Sequence, residues 1–246
     1  MTARVGLIIP SSNRMVEQEM VPAYPEGVCA HVTRLRMTGA QKGPLEPLMP
    51  RVEEATHALA DAKCDVITFH CTANSMQEGK SGEERILQAM MRGGATRAST
   101  TATAVRRALA ALHARRIVLV TPYDEDTNDH EIEFLGQSGI KVIHSVACAL
   151  AGSDAYCATP SAFWKERVIE AVRGDADAYF ISCAAISVLG VIEEIEAQVG
   201  RPVITSNQVV IWDALSRLDW KGRRGLRGRL FVTAPKPELI PVMQRG

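Results

Sequence analysis

"CDVITFHC" (64–71) and "ADAYFISC" (176–183) are two versions of one pattern, and reading them together decides the fold. Each passes an aspartate, runs through apolar β-formers and stops at a cysteine. Two further pairs flank them in the same order. "RVGLIIPSSN" (4–13) resembles "RRIVLVTPYDEDTN" (115–128): basic residue, apolar strand, proline, polar loop, asparagine. "ATRASTTATAVRRAL" (95–109) resembles "VITSNQVVIWDAL" (203–215): polar switch, then helix. Asn13 and Asn128 lie 115 residues apart, Cys71 and Cys183 112 apart. Three pairs in one order at nearly one offset argue for two similar halves.

Within each half, short β-branched runs alternate with helical patterns. Candidate strands are 5–9, 30–36, 66–70, 117–121, 141–145, 178–182 and 202–205. Helical patterns cover 51–62, 99–112, 129–137, 161–173 and 189–199. That alternation predicts an α/β fold of parallel sheets covered by helices. In open parallel sheets a ligand lies outside the carboxyl ends of the strands. Asn13, Cys71, Tyr123, Asn128 and Cys183 each follow a predicted strand, so two facing halves bring them to one cleft.

The 246 residues suit one large domain or two of about half that size. An apolar fraction of 46% excludes a disordered chain, and 28 basic against 28 acidic residues give no polyanion-binding surface. Nucleic acid is not an expected partner, and the basic stretch 221–229 reads as a solvated loop. The chain enters a strand almost at once, and its apolar runs are too short to span a membrane. A cytoplasmic protein is expected, with no membrane partner.

Two attractive motifs fail on their chemistry. Gly79-Lys80-Ser81 imitates a phosphate loop, but Asn74 stands where the first glycine is needed. Ser81 with Glu84 fits a helix capping box instead. His70 adjoins Cys71, yet neighbours on a strand face opposite ways, so His70 reads as structural. No Gly-x-Gly-x-x-Gly opens a helix and no Cys/His set has metal-site spacing, so no cofactor and no metal are expected.

Six cysteines stand at 29, 64, 71, 148, 157 and 183, none as CxxC. In a reducing compartment they are free thiols, most of them buried as small hydrophobes. Cys71 and Cys183 differ because small residues follow each, "TANS" and "AAIS". Free backbone N–H groups there suit an anion, and a helix N-terminus lowers a thiol pKa. Two thiols across one cleft suit chemistry beside a carboxylate: one attacks or takes a proton, the other delivers one. Cys29, Cys64, Cys148 and Cys157 have no such counterpart and read as structural.

"GLIIPSSNRMVEQEM" (6–20) resembles the opening of maleate cis-trans isomerases. "TPYDEDTN" (121–128), "ISCAAISVLGVIEEIEAQVGRPVITSN" (181–207) and "WDAL" (212–215) are similar to segments of those isomerases and of arylmalonate decarboxylases. Both belong to the cofactor-independent aspartate/glutamate racemase superfamily. The resemblance spans residues 4 to about 216 and implies two pseudo-symmetric Rossmann-like halves with the active site between them. The first half is expected over 1–95 plus 205–246, the second over 96–204.

The resemblance implies that Cys71 attacks a double bond as thiolate, that a succinyl-type adduct rotates about a single bond, and that Cys183 handles a proton. Asn13, Tyr123 and Asn128 are then expected to bind substrate carboxylates, with Ser11, Thr72, Ala73 and Ala184 in the same loops. Where maleate isomerases carry an aliphatic pair after the first cysteine, this chain has Thr72-Ala73. Arylmalonate decarboxylases have glycine in place of the first cysteine, so Cys71 argues against their reaction. The expected activity is isomerisation of a small dicarboxylic acid. An amino-acid or hydantoin racemase, a malonate-type decarboxylase and a non-enzymatic carboxylate binder are the alternatives. Superfamily members often pair through surface helices, so a homo-oligomer is expected.

Overall fold

The computed structural model describes residues 2–37, 43–222 and 225–233. Two four-stranded, fully parallel sheets form the frame. The first contains β1 (Ala3–Pro10), β2 (Val28–Leu35), β3 (Val66–Phe69) and β4 (Ala98–Thr100) in the order β2-β1-β3-β4. The second contains β5 (Arg116–Thr121), β6 (Lys141–Ala147), β7 (Ala178–Ile181) and β8 (Val203–Thr205) in the order β6-β5-β7-β8. The two orders are the same order, so the sequence repeat is a structural repeat. Its detail extends to single atoms. Asp65 Oδ2 accepts from the Arg4 backbone N–H at 2.8 Å, and Asp177 Oδ2 accepts from that of Arg116 at 2.8 Å.

The helices are α1 (Met49–Asp61), α2 (Thr72–Met76), α3 (Gly79–Arg92), α4 (Thr101–Ala111), α5 (Glu125–Gln137), α6 (Gly152–Ala158), α7 (Ser161–Glu170), α8 (Ile192–Val199), α9 (Ser206–Arg217) and α10 (Arg229–Val232). Central strands are buried on both faces, which is why "VITF" and "AYFI" read as unbroken apolar runs. Helix α1 packs against the first sheet at Gly6, where a Cβ would stand 3.1 Å from Leu59 Cδ1 and 3.2 Å from Ile67 Cγ1.

Helices α4 and α9 pack on each other between the sheets. Their apolar faces share one core with Val5, Leu7 and Ile9 of β1 and with Leu119 and Phe180 of the second sheet. Arg107 of α4 pairs with the buried Asp213 of α9 and lies over the Trp212 ring. Both helices start alike. Thr100 Oγ1 accepts from Thr103 N at 2.9 Å, and Thr205 Oγ1 accepts from Gln208 N at 3.1 Å, each satisfying an orphan N–H of the first turn. Those two starts aim at the carboxyl ends of β3 and β7.

Several expectations are corrected. The pattern from 99 hid β4, because three residues are too few to show a period; the helix begins at Thr101. The first sheet therefore extends to Thr100, past the expected boundary at 95. Residues 225–233 touch both halves: Arg229 N donates to Glu196 of α8, while Leu226 and Phe231 border one pocket with Pro22 and Ala23. The expected continuation of the first half over 234–246 lies outside the described residues, as do residues 223 and 224 of the basic stretch. Ser81 and Glu84 form no capping box, since α3 starts at Gly79 and Ser81 Oγ donates to Glu78 O at 3.1 Å. Cys29 is exposed and Cys148 and Cys157 are half-buried, so burial singles out Cys64, Cys71 and Cys183. Among the described residues no helix is long and apolar enough to cross a membrane.

Candidate active site

Each sheet reverses its winding between its two central strands, and the four loops leaving β1, β3, β5 and β7 meet in one cavity. Pro10 ends β1, and Ser12 and Asn13 follow it; Cys71, Thr72 and Ala73 follow β3; Tyr123 follows β5; Cys183, Ala184 and Ala185 follow β7. Ser153 and Tyr156 of α6 complete the lining. This is the location the parallel-sheet rule requires. The cavity holds about 30 Å³, room for about one or two waters. Ser12 Oγ and Ser153 Oγ, from opposite halves, are hydrogen-bonded at 2.9 Å, and the exposed pair Arg14–Asp154 lies beside them at 2.8 Å.

Cys71 is the residue before α2, and its Sγ donates to Asn74 Oδ1 at 3.1 Å. Cys183 sits in a turn with φ +120°, a conformation L residues rarely adopt, worth about 1–3 kcal/mol of strain. Its N–H donates to Ser206 Oγ at 3.0 Å, and its Sγ accepts from Ala185 N at 3.3 Å. Thr72 Oγ1 donates to the same Ser206 hydroxyl at 2.8 Å. The first residue of α9 thus ties the two cysteine loops together.

The electrostatics differ from the sequence expectation. Burial pushes the Cys71 thiol up to about 12, against a backbone hydrogen bond from Asn74 that favours the thiolate. Burial likewise pushes Cys183 up to about 12, opposed by hydrogen bonds from the Tyr123 hydroxyl and the Ala185 backbone. Desolvation outweighs the helix field because α2 has five residues and Cys183 opens a turn rather than a helix. Burial thus favours the thiol form of both sulfurs. Tyr123 is buried, its hydroxyl pushed well above its ordinary range by desolvation, and packs edge-on to Tyr156 at 5.8 Å.

Asn13 Oδ1 accepts from Met15 N and Val16 N at 2.8 and 3.2 Å, capping the π-helical turn Val16–Met20, while its Nδ2 donates to Ala184 O at 3.0 Å. Two expected residues do not line the cavity. Ser11 turns away to Met37, donating to its carbonyl and accepting from its N–H. Asn128, fully buried one turn into α5, accepts from Thr121 Oγ1 at 3.1 Å and supports the end of β5. It shares the offset of Asn13, but the longer "YDEDT" loop carries it beyond reach. His70 lies off the site: Nδ1 meets Thr101 Oγ1 and Nε2 meets Asn207 Oδ1, both at 2.9 Å.

Sequence reasoning missed Pro10, Ser12, Ser153, Tyr156 and Ala185 of the lining, and Ser206 behind it. Ser153 and Tyr156 follow β6, where the strand-end rule applies equally, but no counterpart marks them in the first half. Ser206 was visible only as the residue after the repeated polar switch.

The model of the arylmalonate decarboxylase family matches residues 5–231. A maleate isomerase of Geobacillus stearothermophilus is 28% identical, over 89% of this chain and 92% of that one. The maleate isomerase of Pseudomonas putida S16, crystallised with maleate, is 27% identical and superposes with a TM-score of 0.85, over 96% of this chain and 99% of that one. The maleate cis-trans isomerase of Nocardia farcinica, with a covalently bound succinylcysteine intermediate, is 26% identical with a TM-score of 0.85, over 94% and 98% of the two chains.

Proposed function

The chain belongs to the arylmalonate decarboxylase family, a family of enzymes, and from that premise we propose that it isomerises a small unsaturated dicarboxylate of the maleate type through a cysteine adduct. The observation that carries the reading is the pair of buried thiols lining one cavity from equivalent loops of the two halves. The residue at 71 separates it from decarboxylation: a glycine there leaves one thiol, and this chain has two.

In this reading the Cys71 thiol first gives its proton to water, and the resulting thiolate adds to one olefinic carbon and forms an S–C bond. The π pair moves to the neighbouring carbon, which takes the proton of Cys183. The former double bond is now single and rotates. Cys183 thiolate then removes the proton, the C–H pair restores the double bond, and the S–C bond breaks to return the Cys71 thiolate. Atoms and charge balance with no added reagent. The Tyr123 hydroxyl and the Ala185 N–H, which hydrogen-bond Cys183 sulfur, stabilise its thiolate in the middle of the cycle. Thr72, Ala73 and Ala184 are assigned to substrate contact, with Asn13 holding the loop between them.

The test is proton NMR of the protein with maleate, following fumarate, beside the Cys71→Ala variant. Turnover by the wild type, its loss in the variant with the fold retained, and a mass increase of one substrate on Cys71 in a Cys183→Ala variant are expected. Deuterium entry at the α-carbon of an amino acid, with no fumarate formed, would replace the reading by a racemase in which the two thiols act as acid and base.

A further inference from the structure

Glu131 stands on α5, one turn beyond Asn128, with no solvent exposure. Its Oε1 accepts a hydrogen bond of 3.0 Å from Ser182 Oγ, and Ser182 is the residue before Cys183. Its Oε2 is buried with no hydrogen-bond partner among the described residues. A carboxylate oxygen left bare in the interior carries the full desolvation cost, whereas a neutral carboxyl does not.

Among the described residues nothing charged compensates it. Burial opposes its ionisation and only the Ser182 hydrogen bond favours it. On the neighbouring α3 and α4, Glu83 and Arg106 pair with each other at 2.9 Å, Arg85 pairs with Glu78, Arg92 with Glu53 and Arg107 with Asp213. On β6, His144 bonds to Arg173. The ionisable groups that feel Glu131 are Cys71, Tyr123 and Cys183, and a negative charge on it opposes the ionisation of all three. It does not line the cavity, so it acts on the reacting groups from behind.

We propose that Glu131 is a positioning residue that must hold its proton for the paired thiols to react, and that its ionisation switches the site off. The inference deepens the proposed function and rests on its reading of the two thiols as reacting groups. The substrate brings two negative charges into a site with no cation in its lining, and a thiolate adds a third. A neutral carboxyl behind the sulfurs adds none. Burial lifts Glu131 to about 8, which sets the switch just above neutral pH.

Three readouts test it, with Glu131→Gln as the neutral isostere that keeps an oxygen for Ser182. First, the difference infrared spectrum of wild type minus Glu131→Gln should contain a protonated-carboxyl C=O band at pH 7 that disappears as pH rises through about 8. Second, alkylation of Cys71 and Cys183 by iodoacetamide, followed by mass spectrometry, should reach half its limiting rate at lower pH in the variant. Third, wild-type kcat/KM should carry a factor that falls about tenfold per pH unit above this ionisation, absent from Glu131→Gln. Absence of the band at pH 7, or the same alkylation and rate profiles in both proteins, overturns the proposal. Should Glu131→Gln not fold, Ser182→Ala removes the one hydrogen bond that favours the carboxylate and must move the band's titration to higher pH; an unmoved titration overturns the proposal. A titrating band and shifted alkylation without turnover of any dicarboxylate would sink the proposed function and leave the role of Glu131 standing.

Discussion

Acid should loosen this protein through one histidine. His70 is fully buried at the end of β3, and Asn207 Oδ1, which only accepts, requires the proton on Nε2. The Asn207 amide is itself oriented by donating from Nδ2 to Glu19 Oε2 at 2.6 Å. Nδ1 is then the acceptor for the Thr101 hydroxyl. The neutral ring is satisfied at both nitrogens, and burial lowers its pKa to about 4. The unfolded chain protonates it near 6.5. A depressed folded value means that stability is present above pH 6.5 and is lost as pH falls towards 4. Linkage gives about 1.4 kcal/mol per pH unit inside that window, or about 2 kcal/mol between pH 7 and pH 5. That is a large share of a total of about 5–15 kcal/mol for an ordinary domain. Urea unfolding followed by circular dichroism at half-unit steps from pH 7.5 to 5 measures it, with His70→Gln as the control that cannot titrate. The variant will start less stable, because it loses packing and a hydrogen bond, so the slopes are compared and not the offsets. Equal slopes for the two proteins between pH 6.5 and 5 would refute the reasoning.

Asp213 is buried, pairs with Arg107 and Arg217 and accepts from Ser99 at 2.6 Å, so Asp213→Ala breaks a buried charge network and should cost about 3–5 kcal/mol in urea unfolding. Tyr123→Phe deletes a hydrogen bond that favours the Cys183 thiolate, worth about 1.5–3 kcal/mol for a charged acceptor. Alkylation of Cys183 should then require a pH higher by about one to two units, with Cys71 much less affected. Joining the halves through Ser12→Cys with Ser153→Cys, whose parent hydroxyls are 2.9 Å apart, should give an oxidised protein that excludes substrate and a reduced one that admits it. Equal reaction of Cys71 with a small dicarboxylate-like alkylator in both states would show that the Ser12–Ser153 contact does not govern access.

Much of the frame was legible because buried parallel strands must be continuously apolar. "VITF" and "AYFI" could not sit anywhere but the middle of a sheet, and their repetition announced two halves. Asn13, Cys71, Thr72, Ala73, Tyr123, Cys183 and Ala184 were locatable as strand-end residues, and the cavity contains all of them. Ser11 and Asn128 were misplaced for a local reason. Loop length and χ angles, not position after a strand, decide whether a side chain faces the cleft. β4 was unreadable because three residues show no periodicity, and Ser153 and Tyr156 because α6 has no matching motif in the first half.

By itself the sequence determined the repeat, the parallel α/β class and the two thiols worth comparing, since all three depend on spacing and polarity along the chain. Tertiary structure alone decided the thiols' state and the company they keep. The sequence predicted a helix field that favours thiolate; the folded chain buries both cysteines, and desolvation wins. It also placed Glu131, anonymous in the run "NDHEIEF", behind those sulfurs with one oxygen unpaired. Ionisation depends on distance, burial and partners in three dimensions, and the order of residues along the chain specifies none of these until the two halves have closed on each other.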